Sequence, residues 1–313
     1  MNNVAFLYPG QGSQQVGMGL DLYQTYAKAR EMFDRADRIL GFSLSHLCFE
    51  GPHEELNRDL DSQLAVYTVS CILTDLLKAN NIYPDVVSGY SSGFYAAAYA
   101  AGCFDFANGL CLVRQAGEIL LDEGRKMDGR MAVIFGLSPE EVDSICRQVE
   151  DVEVAILNTP RQTIISGLGS SVKRAVELSL IEGALDAYLL PAAVAYHSRF
   201  MEQSSARLLS EIEDDHLRHP RIPLISYLLL EPVPDKEELK KIMAVQLSRP
   251  VKWADLIKKV HSSNISLSIE VGPGDVISRT VKWINRNTKI VNIPTNERLL
   301  KTVEGYKALR TLK

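Results

Sequence analysis

The sequence predicts an α/β fold: a large domain built on a mostly parallel sheet, interrupted by a small inserted unit. Three observations carry that prediction. Short apolar runs of strand type alternate with longer segments at helical spacing, the pattern of strands buried between helices. Between Met131 and Leu190 the alternation becomes strand, helix, strand, strand, helix, strand, which is the ferredoxin-like order. Finally, the β-branched run Val86-Val87 meets Gly89-Tyr90-Ser91-Ser92-Gly93, and an Ala-rich segment follows as far as Gly102. This is the strand–turn–helix context of a Gly-x-Ser-x-Gly nucleophile elbow.

Taken in order, Val4 to Tyr8 reads as a buried strand, and Pro9-Gly10-Gln11-Gly12-Ser13-Gln14 ends it. Residues 18–40 carry apolar positions near helical spacing and read as one helix closed by Gly41. Pro52 to Asn57 reads as a polar connection, and the helix after it is capped by Asp61 or Ser62. Gln63, polar on the first turn of that apolar helix, is either a cap partner or a site contact, and capping is the simpler expectation. Phe106 to Glu123 is a helix that Gly124 ends. In the small unit, strands are expected at 131–137, 152–157, 162–167 and 186–190. Helices are expected at 139–149, opened by Ser138 and an N1 proline, and at 170–182. The large domain resumes near Pro191, with helices at 198–212, 236–247, 253–261, from Val276, and 296–312. Its remaining strands are expected at 222–227, 266–271 and 289–293. The boundaries implied are 1–126 with 192–313 for the large domain and 127–191 for the insert.

The chain has 313 residues, of which 46% are hydrophobic and 23% charged, enough for such a core. A net charge of -5 supplies no basic field for nucleic acid. No apolar run approaches the ~20 residues of a membrane span. The start, Met1-Asn2-Asn3-Val4, lacks a signal-peptide layout. Five cysteines (48, 71, 103, 111, 146), scattered singly and without CxxC, argue against a disulfide framework or a zinc site and for a reducing cytoplasm.

The chemistry centres on Ser91. Its hydroxyl would stand at the turn, with the Ser92 N–H at the positive end of the following helix, aimed at a developing oxyanion. A serine nucleophile needs a base. Of the six histidines, 46 and 53 fall in turn-like stretches and 216, 219 and 261 among charges. His197 alone follows an Ala/Val/Tyr run free of charge, which makes it the leading base. No Asp or Glu offers itself as a third member, so a backbone carbonyl is the expected orienting group. The loop at Gln11 fits neither nucleotide-binding glycine motif. It is either a plain turn or a loop whose backbone approaches the reacting centre.

Together these residues resemble malonyl-CoA:acyl-carrier-protein transacylases and the acyltransferase domains of polyketide synthases. The resemblance spans nearly the whole chain. It rests on Pro9-Gly10-Gln11-Gly12-Ser13-Gln14, the elbow, Asn158 with Gln162 to Gly167, Tyr196-His197-Ser198 with Met201, Gln246 before Pro250-Val251-Lys252-Trp253, and Glu270 to Gly274. It implies a hydrolase-like α/β domain with a ferredoxin-like insert. It implies Ser91 as the acylated nucleophile and His197 as base, then acid. It further implies an oxyanion hole from the N–H groups of Gln11 and Ser92, and the Gln246 carbonyl orienting His197. Gln63, Tyr90, Ala116 and Asn158 are expected at the acyl pocket. The reaction implied is ping-pong, using CoA and phosphopantetheine thioesters as substrates and no further cofactor, with an acyl carrier protein as partner.

The sequence departs from that family where the substrate's free carboxylate would sit. The elbow usually reads Gly-His-Ser-Leu-Gly-Glu; here Tyr90, Ser92 and Phe94 replace three of its residues. The arginine that pairs with malonyl's carboxylate falls on Ala116, and Arg114 lies on another helix face. An uncharged or larger acyl group is therefore expected. An acyl-carrier-protein hydrolase on the same fold, a conventional malonyl transferase using Arg161 or Arg199, and a non-catalytic docking subunit are the alternatives.

Overall fold

The computed structural model describes residues 3–124, 126–262 and 264–311. Strand β1 (Asn3–Tyr8) leads into helices α1 (Leu20–Thr25), α2 (Ala27–Leu40), α3 (Leu44–Glu50), α4 (His53–Leu56) and the long α5 (Asp59–Ala79). Then come β2 (Val86–Gly89), α6 (Gly93–Ala100) and α7 (Phe106–Gly124). The small unit is β3 (Gly129–Phe135), α8 (Pro139–Val149), β4 (Val152–Thr159), β5 (Gln162–Leu168), α9 (Gly169–Ile181) and β6 (Asp186–Leu189). The chain closes with α10 (Glu202–Glu211), α11 (Lys236–Val245), α12 (Trp253–His261), β7 (Ile265–Glu270), α13 (Val276–Ile284), β8 (Ile290–Asn292) and α14 (Asn296–Thr311). The expected end of the last helix at Leu312 lies outside the described residues.

Two sheets result, a parallel one in the order β2-β1-β7-β8 and an antiparallel one in the order β4-β5-β3-β6. The α/β architecture with an inserted βαββαβ unit is as the sequence predicts. In β1 every residue from Val4 to Tyr8 is buried, since helices cover both faces of the parallel sheet. In β3 burial alternates between two cores. Met131 and Val133 join the main core, while Ala132 and Ile134 join a small one with Val142, Ile145, Val172 and Ala175 from α8 and α9. One face of the antiparallel sheet is thus free to wall a cleft against the large domain. Helix α8 opens with a complete capping box between Ser138 and Glu141.

Four expectations need correction. The helix over 18–40 is two helices, because Tyr26 is extended (φ -114°, ψ 127°) and its hydroxyl donates to Asn296 Oδ1 at 2.7 Å. The anchor to α14 overrides local propensity. The strand expected at 222–227 is reduced to two isolated bridges, Ile225 beside Pro232 and Leu224 beside Val87, the latter flanked by bonds from Val87 N–H to Pro223 O and from Ile225 N–H to Val87 O. Pro223 has no N–H with which to extend the ladder. Asn57 follows a helix, α4, rather than a purely polar connection. Helix α5 begins at Asp59 with no side-chain cap; Asp59 and Asp61 instead place negative charge at its positive end. Among the described residues, no helix is long and apolar enough to cross a membrane.

Candidate active site

The elbow is set by steric contact. A Cβ on Gly89 would lie 2.2 Å from the backbone of Gly93, and one on Gly93 would lie 2.3 Å from Tyr8 O. Only glycines let β2, α6 and β1 approach so closely. The turn forces Ser91 to φ 51°, a left-handed conformation that non-glycine residues rarely adopt, and projects its side chain into a cleft.

Ser91 Oγ lies 2.7 Å from His197 Nε2. On the far side of the ring, Nδ1 faces Gln246 O at 2.8 Å and Arg249 O at 3.2 Å. Carbonyls only accept, so Nδ1 carries the proton and Nε2 is free to accept from the Ser91 hydroxyl. Burial pulls the imidazole pKa from 6.5 down to about 4, against the two carbonyls that favour its charged form. His197 is therefore neutral at physiological pH, the state a base must have. The ring is reached by a backbone turn at φ 59°, fixed by a bond from His197 N–H to Leu247 O at 3.0 Å. Gln246 is itself held: Tyr227 Oη, fully buried, donates to Gln246 Oε1 at 2.8 Å.

The cleft over Ser91 has a volume of about 350 Å³. Its apolar wall is Ala116 and Leu120 of α7 with Met131, Ile156, Ile164 and Leu190 of the small unit. Its other side holds Gln11, Gln63, Tyr90, Ser92 and Gln246. Among the described residues, no lysine or arginine lines it. Arg114 donates to Ile39 O, Arg161 to Gly136 O, and Arg199 pairs with Asp151 at 2.9 Å.

The structure brings most of the expected site residues to one cleft. Ser91, His197, Ser92, Gln246, Gln11, Tyr90, Ala116 and Gln63 all reach the cleft. Gln63 is not a cap, lying inside α5 and donating through Nε2 to Gln11 Oε1 at 3.2 Å. Asn158 is a correction, since it does not line the cleft and its amide donates to Gln162 Oε1 at 2.8 Å. Phe94 also turns away: it is fully buried, edge-on to Tyr227 at 6.2 Å. The Gln11 N–H is not free but donates to Ser92 Oγ at 3.2 Å. Asp59, which accepts from Gln11 Nε2, went unforeseen, and only its place on the first turn beside Gln63 hinted at it. The apolar wall was unforeseen as well, although alternation along β3 marks Met131.

A parallel-sheet domain with a serine elbow, a facing histidine and an inserted antiparallel sheet defines a class of serine-centred α/β proteins. The model of the acyl transferase domain matches residues 5–295. The chain is 34% identical over 317 residues to the malonyl CoA-acyl carrier protein transacylase of Bacillus subtilis, an alignment covering 100% of this chain and 98% of that protein. The solved malonyl CoA-acyl carrier protein transacylase of Coxiella burnetii superposes with a TM-score of 0.92 at 30% identity, covering 97% of each chain. A malonyl-transacylase solved in complex with its type II polyketide synthase acyl-carrier protein superposes with a TM-score of 0.92 at 27% identity, covering 97% of this chain and 99% of that one. This chain belongs to the acyl transferase family.

Proposed function

We propose that the protein moves an uncharged acyl group from a CoA or carrier-protein thioester to the phosphopantetheine thiol of an acyl carrier protein, through an ester on Ser91. The observation that carries this reading is the 2.7 Å contact of Ser91 Oγ with a neutral His197 under a cleft that no cation among the described residues lines. In the first half, the Ser91 oxygen attacks the thioester carbonyl while its proton passes to His197 Nε2. The intermediate collapses and expels the thiolate, which takes that proton back. In the second half, the carrier thiol repeats the sequence on the Ser91 ester. Donor and acceptor use the same cleft in turn, and transesterification of this kind asks for a nucleophile, a base and oxyanion donors alone. Residues 1–126 with 192–313 supply the reacting groups, and the unit 127–191 supplies four residues of the apolar wall.

The relatives named above are malonyl transacylases, and the difference here lies in the lining. A malonyl carboxylate lodged beside Ala116 would be buried without a partner, at a cost of about 3–5 kcal/mol. That corresponds to a preference of roughly 10²–10⁴-fold for a neutral acyl group of similar size. Five free cysteines, four of them buried, suit a reducing cytoplasm.

Intact-mass spectrometry after incubation with acetyl-, butyryl- and malonyl-CoA tests the reading. Neutral acyl groups are expected to label the protein, and Ser91→Ala to abolish labelling. Rapid malonyl labelling would sink the neutral-pocket assignment. Release of free acid without acylation of any carrier protein would turn the reading toward a hydrolase.

A further inference from the structure

We propose that the Ser92 hydroxyl, polarised by the Gln11 N–H, is a direct donor to the oxyanion formed at Ser91. The inference rests on the reading of Ser91 as the nucleophile. Two backbone N–H groups are expected in the oxyanion hole, but one of them, at Gln11, already donates to Ser92 Oγ at 3.2 Å. A serine oxygen that accepts a bond keeps its own proton to donate. Among the described residues the Ser92 O–H meets no acceptor, and Ser92 lines the cleft one residue past the nucleophile. Accepting from an amide makes a hydroxyl a stronger donor, since chained hydrogen bonds polarise one another.

The surrounding backbone holds this arrangement. A Cβ on Gly10 would lie 2.9 Å from Ser92 Oγ and 2.6 Å from Tyr90 O, so the loop can press onto the elbow only with glycine there. Gln11 is fixed in turn by its side chain, which donates to Asp59 and accepts from Gln63. When Ser91 attacks the thioester, the carbonyl electron pair moves onto oxygen, and the Ser92 N–H and the Ser92 O–H meet it together. The Gln11 N–H acts one bond further back. No proton leaves Ser92; the one in transit runs from Ser91 to His197.

Ser92→Ala removes the hydroxyl and keeps the backbone donor. The rate constant of Ser91 acylation, read by quenched-flow mass spectrometry with butyryl-CoA, is expected to fall about 10²–10³-fold. Affinity for the non-reacting thioether analogue of butyryl-CoA should not change, because it has no carbonyl oxygen at the reacting carbon. Ser92→Thr, which keeps a hydroxyl, should retain the rate within about tenfold, on the same one-donor scale. An alanine variant as fast as the parent would overturn the proposal, since Gln11 would then serve directly. A threonine variant as slow as the alanine one would overturn it too, as would a loss confined to thioether affinity. If Ser91→Ala still labels, the nucleophile reading itself fails; if only the Ser92 results fail, that reading stands.

Discussion

At the scale of the residue, His197 sets the pH behaviour. Its folded pKa lies near 4, below the ordinary 6.5, so between these values the unfolded chain binds a proton that the folded one refuses. This contribution is therefore full above pH 6.5, shrinks as pH falls, and is gone below about 4. The span is worth about 3 kcal/mol. Denaturant melts at pH 7 and pH 4.5 should show most of that loss, and His197→Gln should flatten it. The acylation kcat/KM should hold nearly level down to about pH 5, where a base of ordinary pKa would already have lost most of its activity. Ala116 makes a second prediction. Ala116→Arg places a cation on the cleft wall and is expected to raise malonyl labelling by tenfold or more, at roughly 1.4 kcal/mol per tenfold. No gain in intact mass would mean that position 116 does not meet the acyl group.

At the scale of the element, the elbow was legible because its glycines answer a steric demand that sequence displays directly. Gly93→Ala would drive a methyl to 2.3 Å from Tyr8 O and should cost about 3 kcal/mol or more, read as a lowered melting midpoint. Ser138→Ala, which opens the capping box of α8, should cost about 1 kcal/mol by the same measurement. The capping box and the βαββαβ order are local signals, and local signals survived. What failed depended on distant partners. Nothing near Tyr26 announces that Asn296 will hold its hydroxyl. Apolar runs such as 222–227 suit a strand until Pro223 and the available neighbour limit the ladder. Gln63 and Asn158 are both buried amides beside the site, and only tertiary placement decides that one faces the cleft and the other bonds Gln162. Phe94 is similar: one residue after Gly93, it points to Tyr227 rather than to substrate.

For the whole molecule, the cleft exists because two cores share one strand. Alternate residues of β3 serve the small core, and those between them, with Ile156 and Ile164, serve the large one and the cleft. Met131→Ala should therefore deepen the cleft and leave the small core intact. Labelling is expected to shift toward longer acyl-CoA chains, with a stability loss near the low end of the ~2–5 kcal/mol of such truncations, since one side of the residue already faces open space. Unchanged chain-length preference would place the acyl chain along another wall.

The carbonyl anchor behind His197 also bears on what ends the catalytic cycle. An imidazole backed by Gln246 O and Arg249 O, with no carboxylate and a pKa near 4, is a reluctant proton acceptor. A thiol gives up its proton near pH 8.5 and bulk water only near 15.7, some seven orders of magnitude apart. On the proposed reading, the same histidine serves both acceptors, and the gap between them acts as a timer. The Ser91 ester outlasts its encounters with solvent and discharges when a pantetheine arm arrives, so fidelity of delivery is written into the acidity of the acceptor.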